Sequence, residues 1–445
     1  MKILLISYWF PPSRAIGAKR WGEFYELSKN DKDLDITVLT ANWNGVINND
    51  HSINFIGDKV DYKPSKSIHS NGFINTLKHP TLMLRSVDRS LLTSWYKEGK
   101  QWIESSNDNF DLIVSSFGPI GSVLLGSYAK NKYKAPYIID LRDLISIQGQ
   151  KKKIPFVNMI DKTLDKYLTR KADSFFVVSP TGNKKAANFY DKDVVTIFNG
   201  LSNKISDNSV DLSIRNVNKI NILYAGGLSL NRDPVPILKI LNAYARKSDI
   251  SITVRFATPD EIFQFINKDE FQNIQIKYLG YLSKDELRVE MDNSDALLVL
   301  EDQRKKGNEN LTGKIFEYLH AKKPIIASCN KASDIAYLLK NLNAGSLIKN
   351  EDDLIRFINE KRALDISKCN FYSRENQYKL MIKRLQSGKN AKFTLPPEAV
   401  LKSAIHALES SNPKNYYRVT FPTKLFSILG KIFPSKWMDY ILNQS

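Results

Sequence analysis

The chain has 445 residues, 42% hydrophobic and 11% aromatic, enough apolar surface for packed cores, which excludes global disorder. At roughly 100–200 residues per domain, that length suits two or three domains. Charge is the unusual quantity: 65 Lys and Arg against 47 Asp and Glu give a formal net charge of +18.

The opening MKILLISYWF runs into Pro11-Pro12 without a small-residue cleavage site, so it reads as a buried strand rather than a signal peptide. Short β-branched runs then alternate with helical patterns, which predicts βαβ units and parallel sheets. In the first part the strands are expected at 2–7, 35–40, 111–116, 137–141, 174–179 and 194–199. Helices are expected between them at 19–28, 91–104, 121–130 and 160–171. Residues 201–218 are polar and aperiodic and read as a linker. A second series follows, with strands at 221–226, 252–257, 274–280, 296–301, 324–329 and 346–350. Its helices are expected at 236–247, 284–292, 313–321, 332–340 and 352–364. The fold class is therefore α/β, with two doubly wound, Rossmann-like domains at 1–200 and 219–371 facing one cleft.

No apolar run reaches the roughly 18–20 residues that cross a bilayer. Cys329 and Cys369 alone make no disulfide framework, so a reducing cytoplasm is the expected compartment. The excess charge is uneven: residues 1–200 carry +8, 201–380 carry +3 and 381–445 carry +7. Such a balance suits nucleic acid, anionic lipid or phosphorylated substrates, or serves solubility alone.

The segment ENLTGKIFE places Glu309 before a helix and Glu317 one turn inside it. Free amides at Thr312 and Gly313, with Lys314 beside them, would suit a diphosphate. The two carboxylates could accept hydrogen bonds from sugar and ribose hydroxyls, or simply be solvated. It is not a Walker loop, because Ile315 stands where Ser or Thr should. In YAGGLSLNRDPVPILKIL a strand ends in Gly226-Gly227, and Arg232 follows in a short loop before a helix. A glycine turn lets backbone approach a phosphate, and an arginine can clamp two of its oxygens. A plain strand-to-helix turn would look the same.

In this order of motifs the chain resembles the GT-B glycosyltransferases of family 4, which use nucleotide-diphosphate sugars. The resemblance runs from residue 1 to about 386 through ISYWFPPSRAIGAKR, SSFGPIGS, APYIIDLRDL, ADSFFVVS, TIFNGL, GYLSKDEL and ENLTGKIFEYLHAKKPII. It implies an acceptor domain at 1–200, a donor domain at 219–371 and a closing helix at 372–386. Arg232 would neutralise the leaving diphosphate, with Lys314 replacing an arginine whose position is taken by Gly227. Glu317 would hold the ribose and Glu309 the sugar. Gly226 and Gly227 would lie against the donor phosphates, and Tyr281 would meet the base. Gly17 would lie where backbone passes close to both substrates, and Arg20, Asp140 and Arg142 would meet the acceptor. Asp143, Arg232 and Glu309 are the expected catalytic groups.

That resemblance further implies retention of configuration, a lipid-linked glycan acceptor and a role in envelope polysaccharide synthesis, with no cofactor beyond the donor substrate. An epimerase or hydrolase of the same fold, or a non-catalytic partner subunit, are the alternatives. No His or Cys pair has metal-ligand spacing, and no zinc finger, RNP motif or basic-aromatic stripe points to nucleic acid. Residues 387–445 form a basic extension with an apolar stripe at Leu425, Phe426, Ile428, Leu429, Ile432 and Phe433. It reads equally as a helix on an anionic membrane surface or one docked on the protein itself. A second apolar and basic helix, suited to lipid, is expected within 82–102.

Overall fold

The computed structural model describes residues 1–13, 15–43, 50–57, 86, 94–147, 155–201, 204–214, 218–229, 232–259, 266–301, 303, 309 and 311–387. The extension beyond Ser387, with its apolar stripe, and most of the 82–102 segment lie outside the described residues. A compact body, Met1–Ile382, holds both sheets; in the second unit, Lys383–Ser445, the described residues are 383–387.

The first sheet comprises β1 (Lys2–Ile6), β2 (Asp35–Ala41), β3 (Ile53–Ile56), β4 (Leu112–Ser116), β5 (Tyr137–Leu141), β6 (Ser174–Val177) and β7 (Asp193–Thr196). Its order is β3-β2-β1-β4-β5-β6-β7, every pair parallel. The helices are α1 (Ile16–Ser28), α2 (Ser94–Ser105), α3 (Ile120–Tyr133), α4 (Pro155–Thr169) and α5 (Pro180–Tyr190). The second sheet comprises β8 (Lys219–Ala225), β9 (Ser251–Ala257), β10 (Ile274–Tyr278), β11 (Ala296–Leu300), β12 (Ile325–Ser328) and β13 (Gly345–Leu347). It runs β10-β9-β8-β11-β12-β13, again parallel. Its helices are α6 (Val235–Lys247), α7 (Lys284–Asp292), α8 (Lys314–His320), α9 (Asp334–Leu342), α10 (Glu351–Asn359), α11 (Ile366–Phe371) and α12 (Arg374–Ser387).

Both orders reverse direction beside the first strand of each half, at β1/β4 and β8/β11, which is where open parallel sheets open a crevice for ligands. The central strands β4, β5 and β11 are buried at every position, as sheets covered on both faces require. Helix α7 starts on a reciprocal capping box between Ser283 and Glu286.

Several of the described residues between β7 and β8 are packed against the second half. Leu201, Ile205, Val210 and Leu212 are buried in the core of the second half. The helix expected over 352–364 stops at Asn359 because the next residues pair with this stretch: Leu212 N donates to Arg362 O and Leu364 N to Val210 O. Local propensity does not report such a long-range pairing. At the end, α12 turns back to the first half, where Arg374 pairs with Glu23 at 2.6 Å and Tyr378 donates to Arg20 O at 3.2 Å.

Candidate active site

On the second half, β8 is followed by Gly226, whose φ of +138° lies where L side chains rarely go. The Lys314 side chain, from the first position of α8, crosses over this glycine, and its ammonium lies 5.7 Å from the centre of the Tyr224 ring. Arg232, whose N donates to Ser229 O at 2.8 Å, comes to the same place. There its guanidinium pairs with Glu301 at the end of β11, 3.1 Å away. Tyr224, Arg232, Glu301, Thr312, Lys314 and Tyr318 line one small cavity.

Two cations converge there, Lys314 half-buried and the Arg232 side chain 37% exposed. Burial, and then the charge of Arg232, push Lys314 down to about 8, while Glu301 and Glu317 pull the other way. Two cations that share one carboxylate, Glu301, leave a net positive charge that an anion would neutralise. Thr312 Oγ1 accepts from Lys314 N at 3.4 Å, and Gly313 caps the helix with open space where a side chain would lie. Glu317, in the first turn of α8, is exposed. Gly227 O accepts from Tyr224 OH at 2.8 Å, and Tyr281, beyond the positive-φ turn at Gly280, is 81% exposed.

On the first half, Gly17 sits in the first turn of α1 against the guanidinium of Arg142, which donates to Phe117 O at 3.1 Å. Asp143 beside it is exposed. Arg20 and Asp140 are placed otherwise than an acceptor site needs. Arg20 is 4% exposed and Asp140 0%, and they pair at 3.2 Å. Arg20 also donates to the carbonyls of Ile197 and Phe198, while Asp140 accepts from Trp21 Nε1 at 3.0 Å. Both polar ends are turned into the protein, tying α1 to β5 and to the chain leaving β7. Their charges are spent on each other and on main-chain carbonyls, which fits a structural role.

Glu309 is 6% exposed, and its partner comes from the other half: Lys185 on α5 reaches Oε2 at 2.6 Å. Ser179, the N-cap of α5, donates to Glu309 O at 2.8 Å. Thr181 donates through N and Oγ1 to Asp334 at the start of α9.

Four charged residues here were not singled out from the sequence: Lys19, Lys185, Glu301 and Asp334. Lys19, on α1, is half-buried, and its ammonium is pushed down by burial and by Arg374, with Glu317 of the second half opposing. Helix α5 buries Gly182, Ala186 and Tyr190, of which only the tyrosine is large, so its core-facing side is a weak local signal. The available signal was Ser179-Pro180, an N-cap followed by proline at the first helical position. Among the described residues, no three His, Cys, Asp or Glu side chains gather as they would around a metal.

No family model and no curated protein matches the sequence. Solved structures do match. A crystal structure of HepE from Anabaena, in complex with UDP and glucose, is 14% identical over 87% of this chain and 100% of that one, with a TM-score of 0.51. The apo form of the lipopolysaccharide outer core galactosyltransferase WaaB is 13% identical, covering 87% of this chain and 99% of its own, at a TM-score of 0.52. A glycosyltransferase from Rickettsia africae is 13% identical, covering 88% and 99%, also at 0.52. With its parallel sheets of seven and six strands, the chain has the two-domain α/β fold called GT-B.

Proposed function

We propose that this chain is a glycosyltransferase that moves a sugar from a nucleotide diphosphate to a lipid-linked glycan, as a family 4 type enzyme. The observation that carries the reading is the shared cavity of Arg232 and Lys314 at the carboxyl ends of β8 and β11. Two cations with one carboxylate beside them would hold a diphosphate and stabilise its departure, which is where charge develops in glycosyl transfer. Glu317 would accept from the ribose and Glu309 from the sugar, with Thr312, Gly313, Gly226 and Gly227 around the phosphates and Tyr281 against the base. Arg142 and Asp143 would face the acceptor. Transfer with retention would pass through an oxocarbenium-like state in which the leaving phosphate stays beside the attacking hydroxyl.

Envelope polysaccharide synthesis at the inner face of the membrane is the setting this chemistry fits. The charge of +7 over residues 381–445 supports an anionic membrane surface as a further partner, at about 1 kcal/mol per basic residue near it. Deleting residues 388–445 is then expected to release the protein from anionic liposomes.

A thermal-shift screen against UDP-, GDP-, CMP- and dTDP-sugars tests the reading, with UDP-sugars first because HepE holds UDP and glucose. At a concentration of about 100 Kd, a donor should stabilise the protein by about 2.7 kcal/mol, and Glu317→Ala should reduce the shift. No shift with any nucleotide sugar would overturn the proposal. Free sugar or epimer formed without acceptor would instead indicate a hydrolase or epimerase.

A further inference from the structure

A nearly buried carboxylate needs a partner for its charge, and Glu309 finds one on the opposite half of the molecule. Lys185 Nζ lies 2.6 Å from Glu309 Oε2; the lysine side chain is 33% exposed and the glutamate side chain 5%. Helix α5 approaches the same residue a second time, because Ser179 Oγ both caps the helix by accepting from Gly182 N and donates to Glu309 O. A third tie, from Thr181 to Asp334, fixes the first turn of α5 against the start of α9. Both the backbone and the carboxylate of Glu309 are therefore located by one helix of the other half.

We propose that Lys185 is a positioning residue for sugar recognition: it holds the Glu309 carboxylate in the orientation that accepts the donor's sugar hydroxyls. The inference rests on the glycosyl-donor reading above. A carboxylate has two oxygens and about four lone-pair directions, so an ion pair through Oε2 is compatible with a hydroxyl bound to the same group. Because Lys185 belongs to the first half and Glu309 to the second, sugar recognition depends on the two halves being in register. The nucleotide cavity, built wholly from the second half, does not.

The test is calorimetric titration of wild type, Lys185→Met and Lys185→Arg with a nucleotide sugar and with its nucleoside diphosphate, using the sugar that stabilises wild type best. Lys185→Met should weaken the nucleotide sugar about tenfold, the worth of one charge-assisted hydrogen bond, and the bare nucleotide less than twofold. Lys185→Arg, which keeps the charge, should recover most of the loss. A purely structural ion pair would lower the melting temperature and affect both ligands alike. Equal losses for the two ligands, or no loss for either, overturn the assignment. Wild type that binds neither ligand overturns the glycosyl-donor reading itself, and this inference with it.

Discussion

The ammonium of Lys314 occupies the space that a side chain on Gly226 would take: a Cβ there would lie 1.4 Å from Nζ. The lysine can cross the end of β8 only because the residue beneath it is glycine, and the φ of +138° adds a second reason. Gly226→Ala is therefore expected to displace the ammonium and to strain the turn, costing about 1–3 kcal/mol of stability. In the folded fraction, nucleotide-sugar affinity should fall about tenfold, the loss of one charged contact. Chemical denaturation and a ligand titration read the two effects separately. Unchanged affinity would mean that Lys314 does not meet the phosphates.

The position of Lys314 also predicts a pH dependence. Burial and the nearby Arg232 hold its pKa at about 8 without ligand. A bound diphosphate would raise that value, so binding takes up a proton wherever the free protein has already lost it. The sign follows: affinity is complete below pH 8 and declines as pH rises above it, by up to about one log unit per pH unit. Lys314→Met should bind more weakly but with a flat profile from pH 7 to 9. Titration at pH 8.5 in buffers of different ionisation enthalpy measures the proton uptake directly, and none would contradict this picture.

Much of this fold is written locally. The strand YIIDL is expected at 137–141 and found at Tyr137–Leu141, and helix α7 occupies the expected residues 284–292, because buried β-branched runs and a capping box are short-range signals. Edge strand β3 carries INFI, half-buried throughout and without alternation, so nothing local marks it. The site divides the same way. Arg232, Lys314 and Glu317 are visible in their own loop and helix, whereas Glu301 and Lys185 acquire meaning only from partners 69 and 124 positions away. Arg20 and Asp140 mark the opposite limit, since residue type and place in the motif said nothing about which way their polar ends turn.

That buried pair should behave as structure. Asp140→Ala leaves the Arg20 guanidinium enclosed without its carboxylate and removes the acceptor of Trp21 Nε1. Breaking such a pair from one side costs about 3–5 kcal/mol. Urea unfolding should show this loss for Asp140→Ala, and binding of the acceptor by the remaining folded protein should be nearly unchanged. A specific rise in acceptor KM with wild-type stability would instead return Asp140 to the acceptor site.

Gly17 provides the contrasting case. A Cβ there would lie 1.8 Å from Arg142 Nη1, but the clash is with the end of a long side chain rather than with backbone. Gly17 is also in the first turn of α1, where alanine is the better helix former by about 1 kcal/mol. Gly17→Ala should therefore fold about as stably as wild type, while the guanidinium moves off Phe117 O and out of its present place in the first half. If Arg142 orients the acceptor, turnover should fall at least about tenfold while the nucleotide-sugar shift in melting temperature stays intact. Full activity would show that Arg142 only braces the loop after β4, and would leave Asp143 as the acceptor-facing group on this half.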